Sequence, residues 1–230
     1  MKSYIKRVGI ELEGGWADKY RLTGGTWQLD GSVRVQARHV GEYVSRPILP
    51  VEIAPWVTTN YPQAVNSSCG MHVHISVSSK LRYAHLMDKC FVRYVLKRFQ
   101  QWGKSHTIKS GAFWSRLRGG NEYCQRPKEL YIPDEQVRAK AKGRAPRYSV
   151  VNYCYGLHKT VELRLLPMFK DPLIGITAIH FYLETVDKYF FLLSKRSRES
   201  QVEIAVPDLK PEFYSSEVSI PLDGGLLEVG

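Results

Sequence analysis

The sequence predicts an α+β fold, an antiparallel sheet with helices packed on one of its faces. Two observations carry that expectation. Three well-separated segments, residues 8–13, 70–77 and 160–165, alternate apolar and polar side chains with the period of a β-strand. Two longer segments repeat apolar residues three or four positions apart, the helical period. Every strand therefore has one apolar face, and the helices supply apolar stripes to cover it.

The first strand places Val8, Ile10 and Leu12 on one face, and Glu11 and Glu13 on the other. Two carboxylates on one strand face repel unless solvent or a cation lies between them. Gly14-Gly15 and Gly24-Gly25 bracket a turn-rich connection. A short strand follows at Thr26–Leu29 and ends at the turn Asp30-Gly31-Ser32. Gly41–Arg46 forms another strand, stopped by Pro47, with Glu42 near its start. Residues 50–68 read as irregular structure or a short helix. The next strand carries Met71, Val73, Ile75 and Val77 on one face, and His72, His74 and Ser76 on the other. Imidazoles two residues apart on a strand lie roughly 6.5–7 Å apart at the backbone, close enough to converge on one ion or phosphate. A solvated strand face would explain the pair equally simply.

A helix is expected over residues 80–102, with the stripe Ala84, Met87, Phe91, Val95, Phe99 and Trp102. Residues 104–147 differ in character, with 11 Lys/Arg against 4 Asp/Glu and several glycines and prolines. Phe113, Trp114, Tyr123 and Tyr131 are interleaved there, a pattern that suits stacking on nucleic-acid bases. A strand is entered after Arg147 and includes Asn152. The strand at 160–165 sets Glu162 and Arg164 opposite Val161, Leu163 and Leu165. Asp171-Pro172 opens the second long helix, whose stripe of Ile176, Ile179, Leu183, Val186, Phe190 and Leu193 should pack on the apolar face of the sheet. From Glu199 the chain turns acidic and proline-bearing, seven carboxylates against Lys210, and is expected to be extended.

At 230 residues and 43% hydrophobic content the chain suits one cored domain. The expected organisation is a domain over 1–198, containing the basic insertion 104–147, and an acidic tail over 199–230. A formal charge of +11 implies an anionic partner: nucleotide, nucleic acid or an acidic small molecule. Four cysteines without a CxxC pair read as free thiols in a reducing compartment. The N-terminal residues lack the pattern of a secretion signal, and no apolar run is long enough to span a bilayer. A cytoplasmic location without a membrane partner is the expectation.

If the three clearest strands are neighbours, their polar faces gather Glu11, Glu13, His72, His74, Glu162 and Arg164. That carboxylate density suits a hard divalent ion, Mg²⁺ or Mn²⁺, and an adjacent arginine suits a transferring phosphoryl group. Two rivals remain at this level. One is a zinc-dependent hydrolase using Cys69, His72 and His74. The other is a non-catalytic basic protein that binds nucleic acid through residues 104–147.

The order of Gly9-Ile10-Glu11-Leu12-Glu13, Asp30-Gly31-Ser32, Gly41-Glu42-Tyr43-Val44-Ser45, Gly70-Met71-His72-Val73-His74, Arg147-Tyr148 with Asn152, and Thr160-Val161-Glu162-Leu163-Arg164 resembles the amidoligase family. That family is a branch of the carboxylate–amine ligases that includes glutamine synthetase and glutamate–cysteine ligase. The resemblance spans roughly residues 8–195. It implies a glutamine synthetase-like catalytic fold, a curved antiparallel sheet with the site on its concave face and helices behind. It implies an ATP-dependent ligase with Mg²⁺ (or Mn²⁺) that forms an amide or isopeptide bond through an acyl phosphate. Glu11, Glu13, Glu42, His72 and Glu162 would bind metal. His74, Asn152 and Arg164 would line the nucleotide site, Arg164 on the γ-phosphate. Arg147 would clamp phosphate or the substrate carboxylate, and Asp30 would lie near the amine. Substrates would be a carboxylate and an amine, such as an amino acid, a peptide or a modified polyanion, and a homo-oligomer is a further expectation.

Overall fold

The structure, a computed structural model, describes residues 3–78, 80–86, 89–122, 124, 125, 148–154 and 159–203. Residues Met1–Leu193 form one compact unit and Ser194–Gly230 a second. Six strands make one open antiparallel sheet: β1 (Ile5–Trp16), β2 (Gly25–Gln28), β3 (His39–Ser45), β4 (Gly70–Val77), β5 (Val151–Tyr153) and β6 (Val161–Pro167), in the spatial order β2-β3-β1-β4-β6-β5. The three strands singled out by alternation, β1, β4 and β6, are consecutive in that order. The α+β class is as expected.

The apolar face of the sheet holds Ile10, Leu12, Tyr43, Met71, Val73, Ile75, Val161 and Leu163, all buried in one core. The described α-helices are α1 (Ile53–Asn60), α2 (Lys80–Leu86), α3 (Lys89–Ser105), α4 (Gly111–Arg118) and α5 (Pro172–Glu203). Leu173 N–H donates to Asp171 Oδ1 at 2.8 Å, so Asp171 caps the first turn of α5 as its sequence promises. The helix then approaches β4 closely: a side chain at Gly175 would lie 2.6 Å from Met71 Cε. Phe91, Val95, Phe99 and Trp102 of α3 are buried, and Phe99 meets Phe181 of α5 edge-on at 5.1 Å.

Four local expectations change. Gly14 and Gly15 continue β1 rather than opening a loop, because the backbone passes so close to Pro62 and Ala37 that a Cβ would sit 2.6 and 2.4 Å from their side chains. The stretch expected as one helix contains α2 and α3 as separate elements, with residues 87 and 88 outside the described set. The Tyr83 hydroxyl accepts from Val77 N–H and donates to the Lys159 carbonyl, tying α2 to the end of β4. Helix α5 runs to Glu203, past the start of the expected extended tail, since the first helix-breaking proline comes only at Pro207. The tail beyond Glu203 lies outside the described residues.

The basic segment is also not uniformly a surface excursion. Ser110 caps α4 by accepting from Phe113 N–H at 3.3 Å, and Gly119, at φ 76°, closes it. Phe113 is fully buried against Trp102 and Phe169, and Trp114 Nε1 donates to Ile108 O at 2.7 Å. The Phe113 ring is committed to the core and is not offered to bases, while Trp114 is partly buried against that core. Tyr123, Tyr131 and residues 126–147 lie outside the described set. Among the described residues no helix is long and apolar enough to cross a membrane.

Candidate metal centre on the sheet

Strand registers decide which polar side chains meet. Glu13 pairs with Glu42 across β1 and β3, Glu11 with His72 across β1 and β4, and His74 with Glu162 across β4 and β6. Asn152 of β5 completes the row opposite Glu162. Gly9 is the partner of His74, and its missing side chain leaves room for that imidazole, since a Cβ there would lie 3.3 Å from His74 Cβ. Period-two alternation then puts all of these groups on the face opposite the core.

Two groups on this face have donor atoms within 4.8 Å of one another, the span a shared cation needs: Glu11 with His74 and Glu162, and Glu13 with Asp30 and Glu42. Asp30 comes from the turn after β2. Its Oδ1 accepts from the Ser32 N–H at 2.8 Å and from the Ser32 hydroxyl at 2.7 Å, which fixes the turn. The residue expected near an amine site thus joins two strand glutamates in an all-oxygen group.

The two histidines differ in their surroundings. His72, expected as the metal ligand, is 2% exposed and hemmed in by carboxylates: Nδ1 lies 2.9 Å from Glu11 Oε2 and 3.4 Å from Glu162 Oε1, and Nε2 lies 3.4 Å from Glu13 Oε1. His74, expected to line the nucleotide site, is the imidazole of the first donor group. Its Nε2 is 2.9 Å from Glu11 Oε1, while Thr160 Oγ1 holds Nδ1 at 3.1 Å. Cys69, the thiol of the hydrolase reading, is buried in the core, and its sulfur contacts Asn66 and Ser68 rather than either histidine.

At β6 the pairing with β4 slips by one residue: Met71 pairs with Leu166 but Val73 with Leu163. This bulge frees the Arg164 carbonyl, which accepts from Arg116 Nη1 at 3.1 Å. Arg116 was not among the expected site residues. It is 1% exposed, its Nε and Nη2 have no hydrogen-bond partner among the described residues, and its Nη1 shares with His72 and Glu13 the space left by the absent side chain of Gly70. Only its membership of a basic segment hinted at it. Arg164 Nη1 itself donates to Glu162 Oε1 at 2.5 Å, and Asn152 Nδ2 donates to Glu162 Oε2 at 2.7 Å. Arg147 lies outside the described residues.

Electrostatics follow from this crowding. Burial raises the Glu11 carboxyl, but hydrogen bonds and charge from His72 and His74 outweigh it and hold the group well below its usual range. Burial likewise raises Glu162, and the charges of Arg164, His74 and His72 bring it down. Desolvation opposes charge on His74, yet hydrogen bonds to Cys154 and Glu11 and the nearby carboxylates push it well above 6.5. Glu42 has no cationic neighbour strong enough to compensate. Burial, then the charges of Glu11, Asp30 and Glu13, push it up to about 8.

A carboxyl raised from 4.5 to about 8 means that the native state binds more protons than the unfolded chain across that window. Stability of the ion-free chain should therefore fall as pH rises from about 4.5 to 8. His74, raised in the folded state, adds to the fall as pH passes its folded value. Glu42→Gln should flatten the slope, read as the thermal midpoint between pH 5 and 8. Equal slopes in wild type and variant would remove Glu42 as the cause.

No family model matches the chain, and neither the curated proteins nor the solved structures contain a match.

Proposed function

We propose that the chain is an ATP-dependent carboxylate–amine ligase, activating a carboxylate as its acyl phosphate and joining it to an amine with release of ADP and phosphate. The observation that supports this best is the pair of cation-competent groups side by side on one sheet face, with a guanidinium among them. Carboxylates at this density repel a polyphosphate unless cations intervene, so the face suits a metal–nucleotide complex better than bare nucleic acid. On this reading the six-stranded sheet is the catalytic sheet of the glutamine synthetase type, with the donor-bearing face concave.

Glu13, Asp30 and Glu42 fit Mg²⁺, a hard ion that takes oxygen ligands. Glu11, His74 and Glu162 would hold a second divalent ion. Divalent ions held there would supply positive charge to offset what builds up during phosphoryl transfer. The chain's own residues supply position. Asn152 fixes one oxygen of Glu162 and Arg164 the other, so the carboxylate cannot rotate. Arg164 thereby stands beside the metal groups, where it can meet a transferring phosphoryl. Arg147 is proposed to share that task. A carboxylate needs this activation because its leaving group would otherwise be oxide. Residues 104–147 would attract an anionic carboxylate substrate or a polyanion that carries it.

Thermal unfolding with Mg²⁺ and a non-hydrolysable ATP analogue tests the reading. At a hundred times its dissociation constant the analogue should stabilise the wild type by about 2.7 kcal/mol, and only with Mg²⁺ present. Glu42→Gln, a partly exposed site where folding should survive, should weaken the Mg²⁺ dependence about tenfold or more. Indifference of the wild type to Mg²⁺ and nucleotide together would sink the ligase.

A further inference from the structure

The two donor groups on the sheet face differ in chemistry. Glu13, Asp30 and Glu42 offer oxygen alone. Beside Glu11, His74 and Glu162 stands a thiol, that of Cys154, the residue that follows β5. Its sulfur is 3.5 Å from Glu162 Oε2 and 3.5 Å from Asn152 Nδ2, and it hydrogen-bonds the His74 ring. The Cys154 N–H donates to the Thr160 carbonyl at 3.1 Å, holding the backbone that carries the thiol. Thr160 Oγ1 in turn holds His74, so one short connection positions both sulfur and imidazole.

We propose that Cys154 is a fourth donor in the Glu11/His74/Glu162 group, and that this group takes a transition ion, Zn²⁺ or a relative of it, while Glu13/Asp30/Glu42 takes Mg²⁺. The inference rests on reading this face as a cation centre and assigns different ions to its two halves. An imidazole, two carboxylates and a thiolate form a mixed nitrogen, oxygen and sulfur shell, and sulfur selects softer ions than an all-oxygen shell does. Binding would release the thiol proton to solvent, since the thiolate is the ligand. Of the other described cysteines, Cys69 and Cys124 are buried in the core and Cys90 is exposed.

Cobalt(II) titration of the full chain tests this without any assay of activity. Visible d–d bands report Co²⁺ binding whatever the ligands, and a near-ultraviolet charge-transfer band reports a thiolate on the metal. The wild type should show both. Cys154→Ser and Cys154→Ala, checked for a native thermal transition, should keep d–d bands, lose the charge-transfer band and bind Co²⁺ about 10–100-fold more weakly. Cys90→Ser should behave as wild type. Wild-type d–d bands without charge transfer, or charge transfer that survives in both Cys154 variants, would overturn the assignment of Cys154 alone. Absence of any Co²⁺ binding would overturn the cation centre and this inference with it.

Discussion

Replacing Arg164 with methionine should destabilise the chain by about 3–5 kcal/mol at neutral pH, the usual cost of removing one partner from a buried ion pair. Glu162 is 3% exposed, and its Oε1 receives the Arg164 guanidinium at 2.5 Å. Without it, the carboxylate keeps Asn152 and the neighbouring histidines but still faces Glu11, whose charge opposes its ionisation. Methionine preserves most of the side-chain volume, so the loss reports charge rather than packing. The sign of the pH dependence checks this. In the wild type the lowered carboxyl of Glu162 contributes stability above about pH 4.5 that is lost as pH falls through its folded value. The variant lacks that contribution, so the gap between the two proteins should narrow toward pH 4. Urea unfolding at pH 7 and pH 4 measures it. A difference below about 1 kcal/mol at pH 7 would mean that the pair contributes no more than a surface salt bridge.

The second large effect is expected at Trp102. Its ring lies at the junction of three helices: 5.9 Å from Phe99 within α3, 5.7 Å from Phe113 of α4, and 5.9 Å from Phe181 of α5, with Phe169 at 6.5 Å. Trp102→Ala removes a 3%-exposed indole from this cluster and should cost about 3–5 kcal/mol, read as a lower urea midpoint at unchanged slope. Its buried Nε1 has no hydrogen-bond partner among the described residues, so the loss is one of packing. Trp102→Phe, which retains a ring, should recover much of it. Equal losses in both variants would show that something other than filled volume is at stake.

These two positions illustrate what could be read ahead of the structure. Trp102 was legible because helical spacing marks the buried stripe directly. Arg164 was legible as a member of the polar face, since alternation along β6 places it with Glu162. That Asn152 shares the hold on Glu162 was not, because that contact depends on β5 lying beside β6. By sequence Phe113 groups with aromatics suited to stacking on bases, yet it is buried in the core. Composition marks a segment as basic but not which of its side chains face inward.

The sequence by itself determined the faces. Alternation is a property of the strand backbone, so Glu11 shares a side with Glu13, His72 with His74, and Glu162 with Arg164, wherever the strands lie. It also determined which helical stripes are buried and the start of α5. Tertiary structure decided the partnerships. The registers brought Glu42 to Glu13 and left Gly9 opposite His74, the turn after β2 delivered Asp30, and α4 delivered Arg116. The strand end at Cys154 delivered a thiol to an imidazole. Those meetings depend on pairings between residues tens of positions apart, which local propensity does not encode, and they determine which donors can share an ion.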